Sequence, residues 1–203
     1  MSGLRRAGIE FDLDGQGIWD RLGEHPRGAD LIRRLREVYP LHSVTGFWEN
    51  HLPAEILREL IAPQIWLGAF KFSFVRNPWD LVVSTFTYLH EQRRSLDVAE
   101  RDFAEVMKHW DFPRFVREYP LLFADQSSMI ADKSGKPIVD FVGRFETIQK
   151  DYETVCDHLC LAAALPWLNA SEHANYRDYY DAQTRYIIER QFARDIDLFG
   201  YSF

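Results

Sequence analysis

The sequence predicts an α/β domain, a parallel sheet flanked by helices. Three observations carry this. A run of strand formers, Lys71 to Val75, passes straight into a helix-start signal at Asn77-Pro78. A second strand-like run, Ile138 to Arg144, leads into a strongly amphipathic helix from Glu146 to Cys160. The segments around these two units show apolar residues at helical spacing. Strands that alternate with helices form parallel sheets.

Taken in order, residues 1–25 are glycine-rich and carry no clear element. Ala29 to Val38 reads as a helix, with Leu31, Ile32, Leu35 and Val38 on one side and arginines on the other. Leu41 to Asn50 is β-like and aromatic. Pro53 opens a helix through Ile61, whose inner face holds Ile56, Leu57, Leu60 and Ile61. A strand over 70–75 and a helix from Pro78 to Gln92 follow. Residues 93–101 are a charged loop, and Asp102–Trp110 and Phe112–Glu118 are short helices. Gln126–Ala131 and Ile138–Arg144 read as strands joined by a hairpin turn, Asp132-Lys133-Ser134-Gly135-Lys136-Pro137. Tyr176–Tyr180 and Ala182–Leu198 are helical. No internal repeat or low-complexity linker interrupts residues 1–203, which read as one domain.

Composition narrows the function. Apolar residues make up 46% and charged residues 27%, an ordinary globular balance. The net charge of -7 argues against a general nucleic-acid or anionic-membrane binder, so any phosphate site must be a local basic pocket. Nineteen arginines stand against five lysines, and arginine suits bidentate recognition of phosphate and carboxylate. Cys156 and Cys160, four apart in a helical pattern, read as a buried reduced pair. No transmembrane run or signal peptide is visible, and a cytoplasmic setting is expected. No metal site is expected.

The segment 71–84 carries the chemistry. Asn77 is a good N-cap, Pro78 suits the first helical position, and Asp80 adds a negative charge to the first turn. Arg76 therefore lies where a strand ends and the positive end of a helix begins. That is an anion site in outline, at the edge where open α/β sheets bind ligands.

Arg76-Asn77-Pro78 followed by Ser84 resembles the 3′-phosphate-binding segment of sulfotransferases that use 3′-phosphoadenosine 5′-phosphosulfate (PAPS). Three later segments are similar, in the same order, to the Golgi-type and bacterial carbohydrate sulfotransferases. They are Val139–Glu146 with Asp151-Tyr152, then Leu165–Ser171 with Tyr176–Tyr180, and finally Asp195–Tyr201. The resemblance spans residues 45–203. It implies a P-loop-like sulfotransferase fold, with Arg76 and Ser84 on the 3′-phosphate of PAPS. It further implies transfer of the sulfuryl group to a hydroxyl, most naturally on a glycan, with adenosine 3′,5′-bisphosphate as product.

That chemistry also needs a base for the acceptor proton and donors for the 5′-phosphosulfate. His51 is the candidate base, with Glu49 to orient it or replace it. His42 is less well placed. Arg144, at a strand end, is a further candidate nucleotide ligand; its alternative is a pair with Glu146. Arg177, Arg93 and Arg94 read as solvated surface. The family's lysine-bearing 5′ loop has no counterpart, since no lysine precedes Lys71. Lys133-Ser134-Gly135-Lys136 lacks the phosphate-loop spacing, and Pro137 stands where a helix would begin. The resemblance therefore implies a chain shortened at its N-terminus, without its first strand, which recognises one end of the nucleotide and lacks full catalytic equipment. Two rivals are a non-catalytic nucleotide- or glycan-binding relative and a nucleotide kinase-like protein.

Overall fold

The computed structural model describes residues 52–91, 109–118, 125–162 and 174–203, with residues 24, 26, 27, 29, 30, 33 and 165 in addition. The expectations for Leu41–Asn50, the 93–101 loop, residues 102–108 and most of Leu165–Ser171 lie outside these. So do His42, Glu49, His51, Arg93 and Arg94. In chain order the main elements are α1 (Ala54–Leu60), α2 (Pro63–Gly68), β1 (Phe72–Val75), α3 (Pro78–Glu91) and α4 (Phe112–Glu118). They continue with α5 (Gln126–Ile130), β2 (Phe141–Arg144), α6 (Ile148–Leu159), α7 (Ala182–Gln191) and α8 (Ala193–Phe199). The class is α/β. Two compact units divide it: Met1–Val75 with Gln126–Leu165, and Arg76–Asp125 with Pro166–Phe203.

In the first unit β1 and β2 pair in parallel, with Phe72 opposite Phe141 and Val75 opposite Arg144. A parallel pair needs a long connection in place of a hairpin, and residues 76–140 supply it. One carboxylate clips the two strand starts together. Asp140 Oδ2 accepts the Lys71 backbone N–H at 2.8 Å and its ammonium at 2.7 Å. The same ammonium donates to the carbonyls of Trp66 at 3.2 Å and Ala69 at 2.7 Å, so each of its three protons has an acceptor. The Lys71 ammonium, hydrogen-bonded to it, holds the Asp140 carboxyl below its usual range. Further along, Gly143 faces the Phe74 ring, and a Cβ there would lie 2.5 Å from a ring carbon. Any larger residue here would force the Phe74 ring to shift, so the close approach favours glycine.

β2 turns into α6 through a short 3-10 turn, Phe145–Thr147. Asp151 accepts the Arg144 N–H at 2.7 Å and the Thr147 hydroxyl at 2.8 Å. The helix ends on Cys160 in the left-handed region, φ 53°. Both cysteines are free, as expected, but only Cys156 is buried and Cys160 is exposed.

One strand expectation is overturned. Gln126–Ala131 begins as a helix, α5, and only Ala131 keeps a strand-like contact, an isolated antiparallel bridge to Pro137. The segment buries Ser127 and Ile130, three apart, and packs against α1. That spacing is helical, and a five-residue piece follows its packing partner over its β propensity. β2 is likewise shorter than the run Ile138–Arg144.

The second unit is built on an aromatic core. Trp79, Val82, Val83 and Leu89 of α3 meet Phe112, Phe115 and Val116 of α4, with Ile188 of α7 and Phe192. Fully burying a side chain such as Phe115 contributes roughly 1.5–3 kcal/mol. A capping box starts α7: the Asp181 carboxylate accepts the Thr184 N–H, and the Thr184 hydroxyl accepts the Asp181 N–H. The single helix expected over Ala182–Leu198 is two. The backbone leaves helical geometry at Phe192, ψ 23°, where the ring is fully buried. Among the described residues no helix is long and apolar enough to cross a membrane.

Candidate functional site

The strongest candidate site lies within the second unit, at the start of α3. Arg76 directly follows Val75, the last residue of β1. Asn77 then caps the helix, its side-chain oxygen accepting the Trp79 N–H at 3.1 Å and its carbonyl the Leu81 N–H at 2.8 Å. Pro78 takes the first helical position, where no N–H is needed. The helix runs 14 residues, long enough for a positive end.

The structure brings Arg76 and Ser84 together. The guanidinium donates from Nη1 to Ser84 Oγ at 2.9 Å. Its Nε donates to Asp80 Oδ2 at 2.6 Å, an ion pair the sequence reading treated only as a first-turn charge. The Arg76 and Asp80 side chains are 16% and 17% exposed, so water screens the pair only partly. The Nε contact fixes the plane of the guanidinium, and the Nη1 contact fixes its rotation. A guanidinium and a hydroxyl beside a helix N-terminus are donor types that suit an oxyanion.

Asn77 does more than cap. Its amide nitrogen donates to the Ser202 carbonyl at 3.0 Å and contacts the Tyr176 hydroxyl at 3.5 Å. Tyr180 donates its hydroxyl proton to the Trp79 carbonyl at 2.9 Å. Burial raises the Tyr180 hydroxyl well above its ordinary value, and the nearby Asp80 charge adds to this. Tyr180 is thus a neutral strut. The i,i+4 spacing of Arg76 and Asp80 was a readable signal for their pairing. Nothing local in the sequence announces a bond between Asn77 and a residue 125 positions later.

Two other candidates lie in the first unit. Arg144, at the end of β2 in the first unit, has an exposed side chain, and its N–H is taken by Asp151. The Lys133–Lys136 turn is closed upon itself. Asp132 Oδ1 accepts the Ser134 N–H at 2.9 Å, the Ser134 hydroxyl at 2.6 Å and the Lys136 N–H at 3.2 Å. Those are the amides a phosphate cradle would offer to a ligand, and an internal carboxylate fills them.

No protein-family model matches the chain, and no solved structure matches it. The chain is similar to an uncharacterized protein of Archaeoglobus fulgidus, 28% identical over 132 residues. The match covers 62% of this chain and 98% of that protein.

Proposed function

We propose that this chain binds PAPS through Arg76 and Ser84 and belongs to sulfuryl-transfer chemistry directed at a carbohydrate hydroxyl. The observation that supports this reading is the 2.9 Å bond joining Arg76 to Ser84 at the start of α3. A 3′-phosphate dianion fits a guanidinium fork, a hydroxyl and a helix N-terminus on charge and on geometry.

Asp80 holds the Nε of the same guanidinium, and that contact orients the side chain. Hydrogen bonds to a charged partner contribute about 1.5–3 kcal/mol each, the range proposed for those that a phosphate would take from this site. In the transfer step the acceptor oxygen forms a bond to sulfur as the bond to the 5′-phosphate oxygen breaks. The acceptor proton passes to a base, for which His51 is proposed, with Glu49 orienting it. Arg144 is retained as a proposed nucleotide ligand, and the setting as cytoplasmic. The closed turn on Asp132 favours a second reading, a relative that binds the nucleotide or a glycan without transferring sulfuryl groups.

Calorimetry tests the shared claim. Adenosine 3′,5′-bisphosphate should bind at least about tenfold tighter than its 2′,5′ isomer and than ATP, a difference of about 1.4 kcal/mol. Equal binding, or none, would remove Arg76 and Ser84 from nucleotide recognition. Turnover of labelled PAPS with a panel of glycans then separates the transferring reading from the binding-only one.

A further inference from the structure

One buried amide joins the start of α3 to the segment that follows α8. Asn77 is 8% exposed. Its Oδ1 accepts the Trp79 N–H at 3.1 Å, and its Nδ2 donates to the Ser202 carbonyl at 3.0 Å. These two partners dictate which way the amide faces. Turned over, it would set an NH2 group against the Trp79 N–H and an oxygen against the Ser202 carbonyl. Two bonds would become two repulsions. The choice of residue follows from the same count. Aspartate caps a helix as well as asparagine does and suits its dipole better, but an ionised carboxylate has no proton for a carbonyl. Serine and threonine bring one oxygen and no second arm. Asparagine has an acceptor on one arm and a donor on the other.

Ser202 reaches Asn77 by a defined route. Gly200 ends α8 at φ 64°, in the left-handed region that favours glycine, and the Tyr201 N–H reaches back to the Ile196 carbonyl at 3.1 Å. Tyr201 is buried, and the Phe203 ring stands edge-on to Trp79, Tyr176 and Tyr180 at 5.5, 5.8 and 5.6 Å. The helix start is gripped twice more. The Trp79 indole donates to the Arg185 carbonyl at 3.3 Å, and the Tyr180 hydroxyl donates to the Trp79 carbonyl at 2.9 Å. All of these residues belong to the second unit. The consequence falls on Arg76. Its backbone lies just before the helix, while its side chain meets Asp80 and Ser84, which are on the helix. The angle at which the chain enters α3 decides whether the guanidinium meets them, and Asn77 is where that angle is set.

We propose that Asn77 is a positioning residue for the anion site: its amide, anchored on the Ser202 carbonyl, fixes the entry of the chain into α3 and with it the aim of the Arg76 guanidinium. The effect on nucleotide affinity rests on the PAPS reading above, whereas the aim of Arg76 can be read without ligand. NMR on the full chain would follow hydrogen exchange at Arg76 Nε–H, assigned by its loss in Arg76→Lys. Asn77→Ser keeps an acceptor for the Trp79 N–H and loses the second arm. Exchange at Arg76 Nε–H should quicken at least about tenfold in this variant, while the Val82 and Val83 amides, inside α3, keep their protection. A general loss of stability would quicken all three alike. Deletion of Ser202 and Phe203 removes the anchor from the other side and should give the same split; it stands in should Asn77→Ser fail to fold. Affinity for adenosine 3′,5′-bisphosphate, by calorimetry, should fall at least about fivefold in Asn77→Ser. Unchanged exchange at Arg76 Nε–H in either folded variant, or equal quickening at Arg76 and at Val82 and Val83, would overturn the positioning role. Quickened Nε–H exchange beside a native chain that binds no bisphosphate would uphold the positioning of Arg76 and remove the nucleotide reading, so the two fail separately.

Discussion

Two stretches of this chain use the same kinds of residue to opposite ends. Residues 132–137 and residues 76–84 each combine an aspartate, a serine and basic character, two lysines in the first and one arginine in the second. In the first, Asp132 draws in the Ser134 and Lys136 amides and the Ser134 hydroxyl, and the turn is complete in itself. In the second, Asp80 accepts from Nε of Arg76, and Ser84 accepts from Nη1. The donors of the turn are backbone amides, and their directions are set by the fold of four residues. The donor of the second stretch is a long side chain beside a helix, α3, whose Trp79, Val82 and Val83 lie in the core. A carboxylate that closes a turn excludes a ligand. A carboxylate that holds one edge of a guanidinium orients it toward one.

The largest test of this contrast is Arg76→Gln. Affinity for adenosine 3′,5′-bisphosphate should fall on the order of 100-fold, the loss of one or two charge-assisted hydrogen bonds at about 1.5–3 kcal/mol each. Calorimetry of the variant beside the native chain measures it. A residual affinity within a few-fold of native would make the two stretches alike, both closed.

Next in size is Asp80, where two effects oppose each other. Coulomb attraction alone says that removing a carboxylate should tighten binding of an anion. Orientation says the reverse, because Nε loses its anchor. Asp80→Ala is expected to weaken nucleotide binding about tenfold, roughly 1.4 kcal/mol. Asp80→Asn retains an acceptor for Nε and should bind at least as well as native. Tighter binding by the alanine variant would show Asp80 to be a plain competitor, filling its site as Asp132 fills the turn.

How much of this could be read in advance depended on the range of the forces involved. The start of α3 was legible because Asn77, Pro78 and Asp80 act within one turn, and the helix is described over Pro78–Glu91, with the expected Gln92 outside the described residues. Arg76 and Ser84 were singled out through the resemblance to sulfotransferases, as ligands of one phosphate, and their direct bond across eight residues had no signal within one turn. α5 was not legible: Ser127 and Ile130 are helical because of α1, and no local signal in Gln126–Ile130 outweighs its β-like reading. The break at Phe192 follows from burial of one ring, and the bond from Asn77 to Ser202 joins segments far apart in sequence. Arg177 is exposed, in line with its reading as surface, but its contacts with the Tyr176 and Phe203 rings had no local signal.

The smallest expected effect concerns the turn alone. The hydrogen bond from Ser134, with those from the Lys136 and Ser134 amides, holds the Asp132 carboxyl below its ordinary value. A depressed carboxyl contributes stability that is present above its unfolded value, about 3.9, and is lost as pH falls through the lower folded value. Amide exchange at Ser134 and Lys136 should therefore show extra opening on acidification below about pH 4, after correction for intrinsic rates. Asp132→Asn should remove that pH dependence and leave nucleotide affinity unchanged. The carboxylate at 132 serves only its own turn, whereas the one at 80 is tied to a side chain aimed elsewhere. A change in nucleotide affinity on Asp132→Asn would mean that the turn reaches the nucleotide after all, and the contrast between the two stretches would fail.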